Sequence, residues 1–106
     1  MEVLTEKQIQ KIVDVIVKGY HPDKVILFGS YAKGTQNKWS DLDFMVIKKT
    51  KQRYLKRPLA VMDLFDPYPH AMDFFIYTPE EFENSKTTMG SLARIANEEG
   101  RLMYGN

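Results

Sequence analysis

The sequence predicts a small α+β fold in which helices cover a short β-sheet. Apolar residues recur at helical spacing near both ends of the chain, whereas short apolar runs rich in β-branched and aromatic residues lie between them. The 106 residues, 43% of them hydrophobic, are enough for one domain with its own core, so we treat residues 1–106 as a single domain.

The first element is a helix that begins after Thr5, because Thr5 and Gln8 are spaced as a capping box. Apolar residues then recur at helical spacing, at Ile9, Ile12, Val13 and Ile16. Gly19 is placed to end the helix. The apolar run Lys24–Phe28, bounded by Gly29, predicts a strand that is covered on both faces.

Alternating side chains predict the second strand at Asp41–Ile47. The residues that share one face of it are Asp41, Asp43, Met45 and Ile47. A helix should follow within residues 51–65, and Pro58 must either kink it or lie in its first turn. The third strand is expected at Met72–Tyr77, after a turn rich in proline and aspartate.

The C-terminal part should contain two helices and a short edge strand. Thr78 and Pro79 are typical of a helix start, with Thr78 as the N-cap and Pro79 in the first turn. A last helix is expected at Ser91–Glu99, ended by Gly100, and Leu102–Tyr104 should add the edge strand. The residues of the last helix expected to point inward are Leu92, Ile95 and Ala96.

Composition excludes several classes of function. The chain has no cysteine, which removes disulfides, thiolate catalysis and cysteine-bound zinc. Residues 1–10 are polar and charged, unlike a signal peptide, and no apolar run approaches the roughly 18 residues that span a bilayer. We therefore expect a cytoplasmic protein without a membrane partner. The formal net charge of +1 gives no electrostatic argument for nucleic acid.

One stretch is strongly basic, since residues 48–57 contain six basic side chains and no acidic one. The favoured interpretation is a solvated helix face together with the segment that leads to it. The alternative is that Lys49, Arg53 and Arg57, spaced four apart on one helical face, help to hold an anionic ligand or an acidic partner.

Three aspartates fall on predicted strands in a way that packing does not explain. Asp41 and Asp43 project from the same face, about 7 Å apart along the strand, and Asp73 interrupts an otherwise apolar strand. If the third strand pairs beside the second, all three carboxylates can reach one spot, where cations must compensate their charges. Two Mg²⁺ ions would do so, as in phosphoryl-type transfer. The alternative is that each aspartate caps a strand end or faces water.

A second part of the candidate site is Gly29-Ser30, at the end of the first strand. A strand that ends in Gly-Ser before a helical turn can present backbone amides and a hydroxyl to a phosphate group. Glycine also allows close approach of the backbone. The pair is common in ordinary turns, but here ten residues separate it from Asp41-Leu42-Asp43.

The segment Phe28–Phe44 closely resembles the signature of the DNA polymerase β-like nucleotidyltransferase superfamily, which is Gly-Ser followed after a short spacer by Asp-x-Asp. More specifically, the chain is similar to the minimal nucleotidyltransferases, short antitoxin-type proteins often partnered with a HEPN-domain toxin. The similarity extends to the leading helix, to Asp73 and to the C-terminal segment. It implies the fold of that superfamily, a small mixed sheet with helices packed on it.

The resemblance also implies roles for individual residues. The implied catalytic and metal-binding residues are Asp41, Asp43 and Asp73, and the implied nucleotide-binding residues are Gly29, Ser30 and Lys33. Asp73 would complete one metal site and help to deprotonate the attacking hydroxyl. Lys33 stands where many relatives carry arginine, so it would keep the positive charge but lose the bidentate geometry.

The implied reaction is in-line attack of a hydroxyl on the α-phosphorus of a nucleoside triphosphate, with pyrophosphate as the leaving group. ATP is the expected donor and a tyrosine of a HEPN toxin the expected acceptor, which would make the protein an antitoxin. Because the sequence extends little beyond a catalytic core, we expect another chain to supply part of the site or to be the acceptor, in a homo- or hetero-oligomer. The alternatives are an antitoxin that acts by binding alone and a transferase for a small molecule.

Three further side chains with aromatic rings have less specific interpretations. His21 and His70 lie in predicted turns near prolines and are interpreted as structural or solvated. Trp39 either stacks on a nucleobase or, as we favour, covers its loop against the core.

Overall fold

The computed structural model describes residues 3–106, which form four strands, five helices and a 3₁₀ turn. The strands are β1 (Lys24–Phe28), β2 (Leu42–Ile47), β3 (Met72–Tyr77) and β4 (Arg101–Tyr104). The helices are α1 (Glu6–Tyr20), α2 (Ser30–Lys33), α3 (Arg57–Met62), α4 (Pro79–Ser85) and α5 (Leu92–Glu99), and the 3₁₀ turn is Tyr54–Lys56. The predicted elements are therefore present, with boundaries shifted by one or two residues.

The strands form a mixed four-stranded sheet in the order β3-β2-β1-β4. β2 runs antiparallel to β1 and parallel to β3, and β4 is antiparallel to β1. The C-terminal end of β1 therefore lies beside the N-terminal ends of β2 and β3. We call this edge, where Phe28 pairs with Asp43 and Asp43 with Asp73, the site end of the sheet.

Helices cover both faces of the sheet, which explains why β1 and β2 are apolar on both sides. One face packs on α1 and α3, and its buried residues include Leu27, Phe44, Ile76, Ile9 and Val61. The other face packs on α4 and α5, and its buried residues include Ile26, Met45, Ile47, Phe82 and Ala96. Side chains alternate between the two faces along a strand, and Phe44 and Phe74 lie on the α1–α3 face. The side chains of Asp43 and Asp73, which precede them, therefore lie on the α4–α5 face.

The helix caps follow the sequence closely. Thr5 with Gln8 and Thr78 with Glu81 both form complete capping boxes. Gly19, however, does not end α1, which continues to Tyr20 and is capped by His21 at φ 54°. A side chain at position 19 would collide with that of Leu64, so this glycine leaves room for the turn that follows α3.

The basic stretch does not form one helical face, so that part of the prediction is wrong. Residues 48–53 are not helical, and Pro58 lies in the first turn of α3, with the 3₁₀ turn ahead of it. Arg57 is buried, and its guanidinium donates to the backbone oxygens of Gln52 and Ile76 and forms a bidentate pair with Glu81. The Arg57 side chain thus fixes the start of α3 against β3 and α4.

The C-terminal elements are confirmed with a small change in packing. In α5 the fully buried residues are Ala93 and Ala96, whereas Leu92 and Ile95 are partly buried against the same core. β4 begins at Arg101, one residue earlier than predicted, and pairs with β1. No helix within residues 3–106 has the length and apolarity needed to cross a membrane.

Candidate active site

The two strand-borne aspartates face each other at the site end. Asp43 of β2 and Asp73 of β3 are direct partners in the parallel register, so their side chains leave the same face at the same level, on strands about 4.8 Å apart. Asp41 precedes β2, which begins at Leu42, and is exposed. The structure thus pairs Asp43 with Asp73, as expected if the third strand lies beside the second, whereas Asp41 lies outside the strand and the predicted meeting of all three carboxylates at one spot stays a prediction.

The three carboxylates influence one another electrostatically. Burial first, and then the negative charges of Asp73 and Asp41, together raise the pKa of Asp43 to about 6. Within residues 3–106, however, no three His, Cys, Asp or Glu side chains surround one point closely enough to form a ready metal site. The aspartates are therefore close enough to repel each other without enclosing a common centre.

Gly29 brings the backbone directly against Asp43. Its conformation, φ 76° and ψ −156°, is one that residues with a side chain rarely adopt, and a Cβ there would collide with the Asp43 carboxylate. The Gly29 carbonyl accepts hydrogen bonds from the amides of Ala32 and Lys33 in α2. The glycine is thus required by the approach of the Gly-Ser turn to the carboxylate.

Lys33 lies at the same end of the sheet but is engaged with another residue. Its Nζ is 2.8 Å from Oε1 of Glu99, at the end of α5. Both side chains are about half exposed, at 49% and 46%, so this ion pair contributes little to stability and can open at small cost. The sequence prediction for Lys33 did not anticipate Glu99.

His70 is a site-end residue whose role was not evident from the sequence. It is buried, and its Nε2 lies 2.8 Å from the carbonyl oxygen of Ser40, the residue before Asp41. Since a carbonyl can only accept, Nε2 carries the proton. The ring of His70 also meets the edge of Tyr31, with centroids 6.1 Å apart and planes at 87°. A proline-rich turn gives no sequence signal for such a contact.

Trp39 does not cover its loop against the core, so the favoured interpretation is wrong. Its side chain is 76% exposed, and Lys38 lies over the ring at 5.2 Å. Hydrogen bonds within the turn hold it there, because Asn37 Oδ1 accepts from the amide of Trp39, and Ser40 Oγ accepts from that of Asn37. An ordered turn thus presents an exposed indole two residues before Asp41.

The residues at this end fit a divalent cation such as Mg²⁺. Carboxylate oxygens are its preferred protein ligands, and a cation would relieve the repulsion that raises the Asp43 pKa. The backbone at Gly29 lies directly against that carboxylate, with no side chain between them. Asp43 and Asp73 thus supply two ligands of the type that a divalent cation prefers, and Asp41 is the nearest further carboxylate in the sequence.

Fold and site together define the class of protein. The mixed sheet, with paired aspartates at one end beside a Gly-Ser turn, agrees with the polymerase β-like nucleotidyltransferase fold that the sequence resemblance implies. The family model described as "Nucleotidyltransferase domain" matches residues 6–103, so the chain belongs to that family.

Solved structures share this fold at low sequence identity. A chain in the crystal structure of a toxin-antitoxin with AMP-PNP has a TM-score of 0.66 and 22% identity, over 91% of this chain and 72% of the other. A candidate nucleotidyltransferase from Sulfolobus solfataricus has a TM-score of 0.66 and 18% sequence identity, over 94% of this chain and 79% of the other. A chain in the structure of a mutant of the toxin-antitoxin MntA-HpeT has a TM-score of 0.66 and 19% sequence identity, over 97% of this chain and 75% of the other. A search of curated proteins finds no match.

Proposed function

We propose that the protein is a magnesium-dependent nucleotidyltransferase that moves a nucleoside monophosphate, AMP from ATP, onto a hydroxyl group. The observation that carries the proposal is the register pair of Asp43 and Asp73 with Gly29 packed against the Asp43 carboxylate. Membership of the nucleotidyltransferase domain family supports the reaction class.

In this proposal Asp41, Asp43 and Asp73 hold Mg²⁺. The bound metal would supply Lewis-acid activation of the acceptor hydroxyl and offset charge on the departing phosphates. Asp73 is the more exposed member of the register pair, and its carboxylate accepts the proton of the attacking hydroxyl. The hydroxyl oxygen forms a bond to the α-phosphorus, the bond from that phosphorus to the bridging oxygen breaks, and pyrophosphate leaves.

The Gly29-Ser30 turn holds the triphosphate beside the carboxylates. The positive φ of Gly29 and its lack of a side chain allow phosphate oxygens to approach the backbone closely. Lys33 adds positive charge when it leaves Glu99 for the phosphates, which an exposed ion pair permits. The protein thus contributes mainly position and electrostatics.

We further propose a tyrosine of a HEPN-domain toxin as the acceptor, so that the protein acts as an antitoxin. The similarity of the chain to minimal nucleotidyltransferases supports this choice, and two structures of similar fold come from toxin-antitoxin systems. The exposed Trp39 beside Asp41 is consistent with a bulky acceptor, since large aromatic side chains are enriched in protein interfaces.

The test is to incubate the protein with Mg²⁺, α-labelled ATP and a purified HEPN-domain toxin. We expect label on the toxin with the wild-type protein, and none with the double variant Asp41→Asn/Asp43→Asn. Asp23→Asn, the same change at the opposite end of the sheet, is the matched control and should label normally. Absence of label with the wild-type protein would reject this acceptor.

One observation favours a second function, an antitoxin that neutralises its toxin by binding alone. Within residues 3–106 the acidic groups do not enclose a ready metal site, as expected for a site that is idle. The double aspartate variant separates the two functions. Undiminished neutralisation of the toxin by that variant would favour binding, whereas loss of neutralisation with retained complex formation would favour catalysis.

A further inference from the structure

The candidate site is assembled from three separate segments of the chain. The Gly29-Ser30 turn follows β1, Asp41 lies in the loop before β2, and Asp73 is the second residue of β3. The sheet register fixes Asp43 against Asp73, but Asp41 lies outside the strand. Some other contact must therefore place Asp41 relative to the remainder of the site.

The backbone on both sides of Asp41 is held by consecutive residues of one segment. After it, the amide of Leu42 donates to the carbonyl oxygen of Ala71 at 3.0 Å. Before it, the carbonyl oxygen of Ser40 accepts from Nε2 of His70 at 2.8 Å. The hydrogen bond from His70 thus continues the β2–β3 pairing beyond the ends of the strands. Its donor is the imidazole side chain, where a strand would use a backbone amide.

The same imidazole also contacts the turn that follows β1. Its neighbour in the edge-on arrangement is Tyr31, the residue next to Ser30. Tyr31 is 4% exposed, and its hydroxyl accepts from the amide of Leu4 at 3.1 Å, so the Tyr31 ring has a fixed position. His70 therefore contacts Ser40, the residue before Asp41, and also Tyr31, the residue after the Gly29-Ser30 turn.

We infer that His70 is the positioning residue that sets Asp41 relative to the Gly-Ser turn and β3, through its Nε2 hydrogen bond to Ser40. The expected effect on metal binding rests on the proposed function. The hydrogen bond that holds the loop before Asp41 does not depend on that function. Two properties of the side chain are separable, namely the donor at Nε2 and the ring against Tyr31.

The experiment uses two variants that each keep one of these properties. His70→Phe keeps a ring against Tyr31 but removes the donor, and His70→Gln keeps an amide donor near the Nε2 position but removes the ring. Trp39 is the only tryptophan, one residue before Ser40, so its fluorescence anisotropy reports the mobility of this loop. Mn²⁺ affinity, measured by electron paramagnetic resonance, reports the metal site, and circular dichroism verifies folding.

We expect His70→Phe to lower the Trp39 anisotropy and to weaken Mn²⁺ binding about tenfold, a loss typical of removing a residue that orients metal ligands. His70→Gln should restore most of both. If His70→Phe does not fold, His70→Asn replaces it, because its amide lies near the Nδ1 position and cannot reach Ser40. Anisotropy that is unchanged in the donor-deficient variant would overturn the inference, as would loss of anisotropy with unchanged Mn²⁺ affinity.

A wild-type protein that binds no Mn²⁺ would instead reject the metal site of the proposed function. In that case the anisotropy of the same variants still decides whether His70 holds the loop. Tyr31→Phe is the further control, since it removes the hydrogen bond from Leu4 but keeps the ring beside His70. It should leave the Trp39 anisotropy unchanged.

Discussion

Ionisation of the Asp43 carboxyl group destabilises the folded protein when no metal is bound. Its carboxyl group is partly buried and lies beside Asp73, so its pKa rises to about 6 in the folded state, from an ordinary value near 3.8. A raised carboxyl pKa means that ionisation destabilises the fold. The cost is absent below the unfolded pKa, grows as pH rises from about 4 to about 6, and is constant above that range.

Asp43→Asn should therefore stabilise the metal-free protein at pH 8 by about 1–2 kcal/mol, after allowance for partial exposure, and have little effect at pH 4. Urea unfolding in EDTA at the two pH values measures this difference. Asp23→Asn is the control, with no such gain expected. Equal stability of Asp43→Asn and wild type at pH 8 would contradict the electrostatic account.

Gly29 should tolerate no side chain, whereas Gly34 offers a matched comparison. Both have φ 76°, but a Cβ at Gly34 meets nothing within 4 Å, while one at Gly29 meets the Asp43 carboxylate. We expect Gly29→Ala to cost about 2–3 kcal/mol and to abolish nucleotide binding, and Gly34→Ala to cost about 1 kcal/mol and to bind normally. Urea unfolding and calorimetric titration with an ATP analogue measure these effects. Normal nucleotide binding by Gly29→Ala would show that the turn does not hold the phosphates.

Helix α3 and strand β3 are held together by a buried charge rather than by apolar contacts alone. Arg57 is 5% exposed, and its guanidinium hydrogen bonds join the residues before α3 to the end of β3 and to α4. The hydrogen bond from Arg57 also lowers the pKa of Glu81. Stability from this pairing is present at neutral pH and is lost as pH falls through the folded pKa of Glu81.

Arg57→Met should destabilise the protein by about 2–4 kcal/mol at pH 7, because it leaves backbone oxygens and Glu81 without their donor. The difference from wild type should shrink in acid as Glu81 is protonated. Arg53→Met, an exposed arginine in the same stretch, is the control and should change stability by less than about 0.5 kcal/mol. Chemical unfolding at pH 7 and pH 3 tests both statements, and a pH-independent difference would disprove the role of Glu81.

For the molecule as a whole, ligand binding should appear as thermal stabilisation. A ligand at ten times its Kd adds about 1.4 kcal/mol, or roughly 5 °C in Tm for a chain of this size. We expect this shift with Mg²⁺ and a non-hydrolysable ATP analogue together, and none for Asp41→Asn/Asp43→Asn. Differential scanning fluorimetry at matched ionic strength measures it. An equal shift in the double variant would place the nucleotide elsewhere.

Local patterns predicted the elements, but not the contacts between distant residues. The strands followed from apolar runs and the helix starts from Thr5 and Thr78, because those signals depend on near neighbours. The Asp43–Asp73 pairing needed the parallel register, which a single sequence does not specify. His70 with Ser40 and Lys33 with Glu99 join residues far apart in the chain, so no local spacing could have indicated them.

Because β2 and β3 are parallel, the segment that connects them has one part far from the aspartates and one part beside them, and these two parts should differ in how freely their sequences can change. A parallel pair needs a crossover, here residues 48–71, which starts at the end of the sheet away from the aspartates and returns to their end at His70 and Ala71. Residues 48–56, which precede the buried Arg57 and include the exposed Leu55, can diverge without moving any carboxylate. Homologous chains should therefore vary most in residues 48–56 and least around residues 70–73, and an alignment of them would show it.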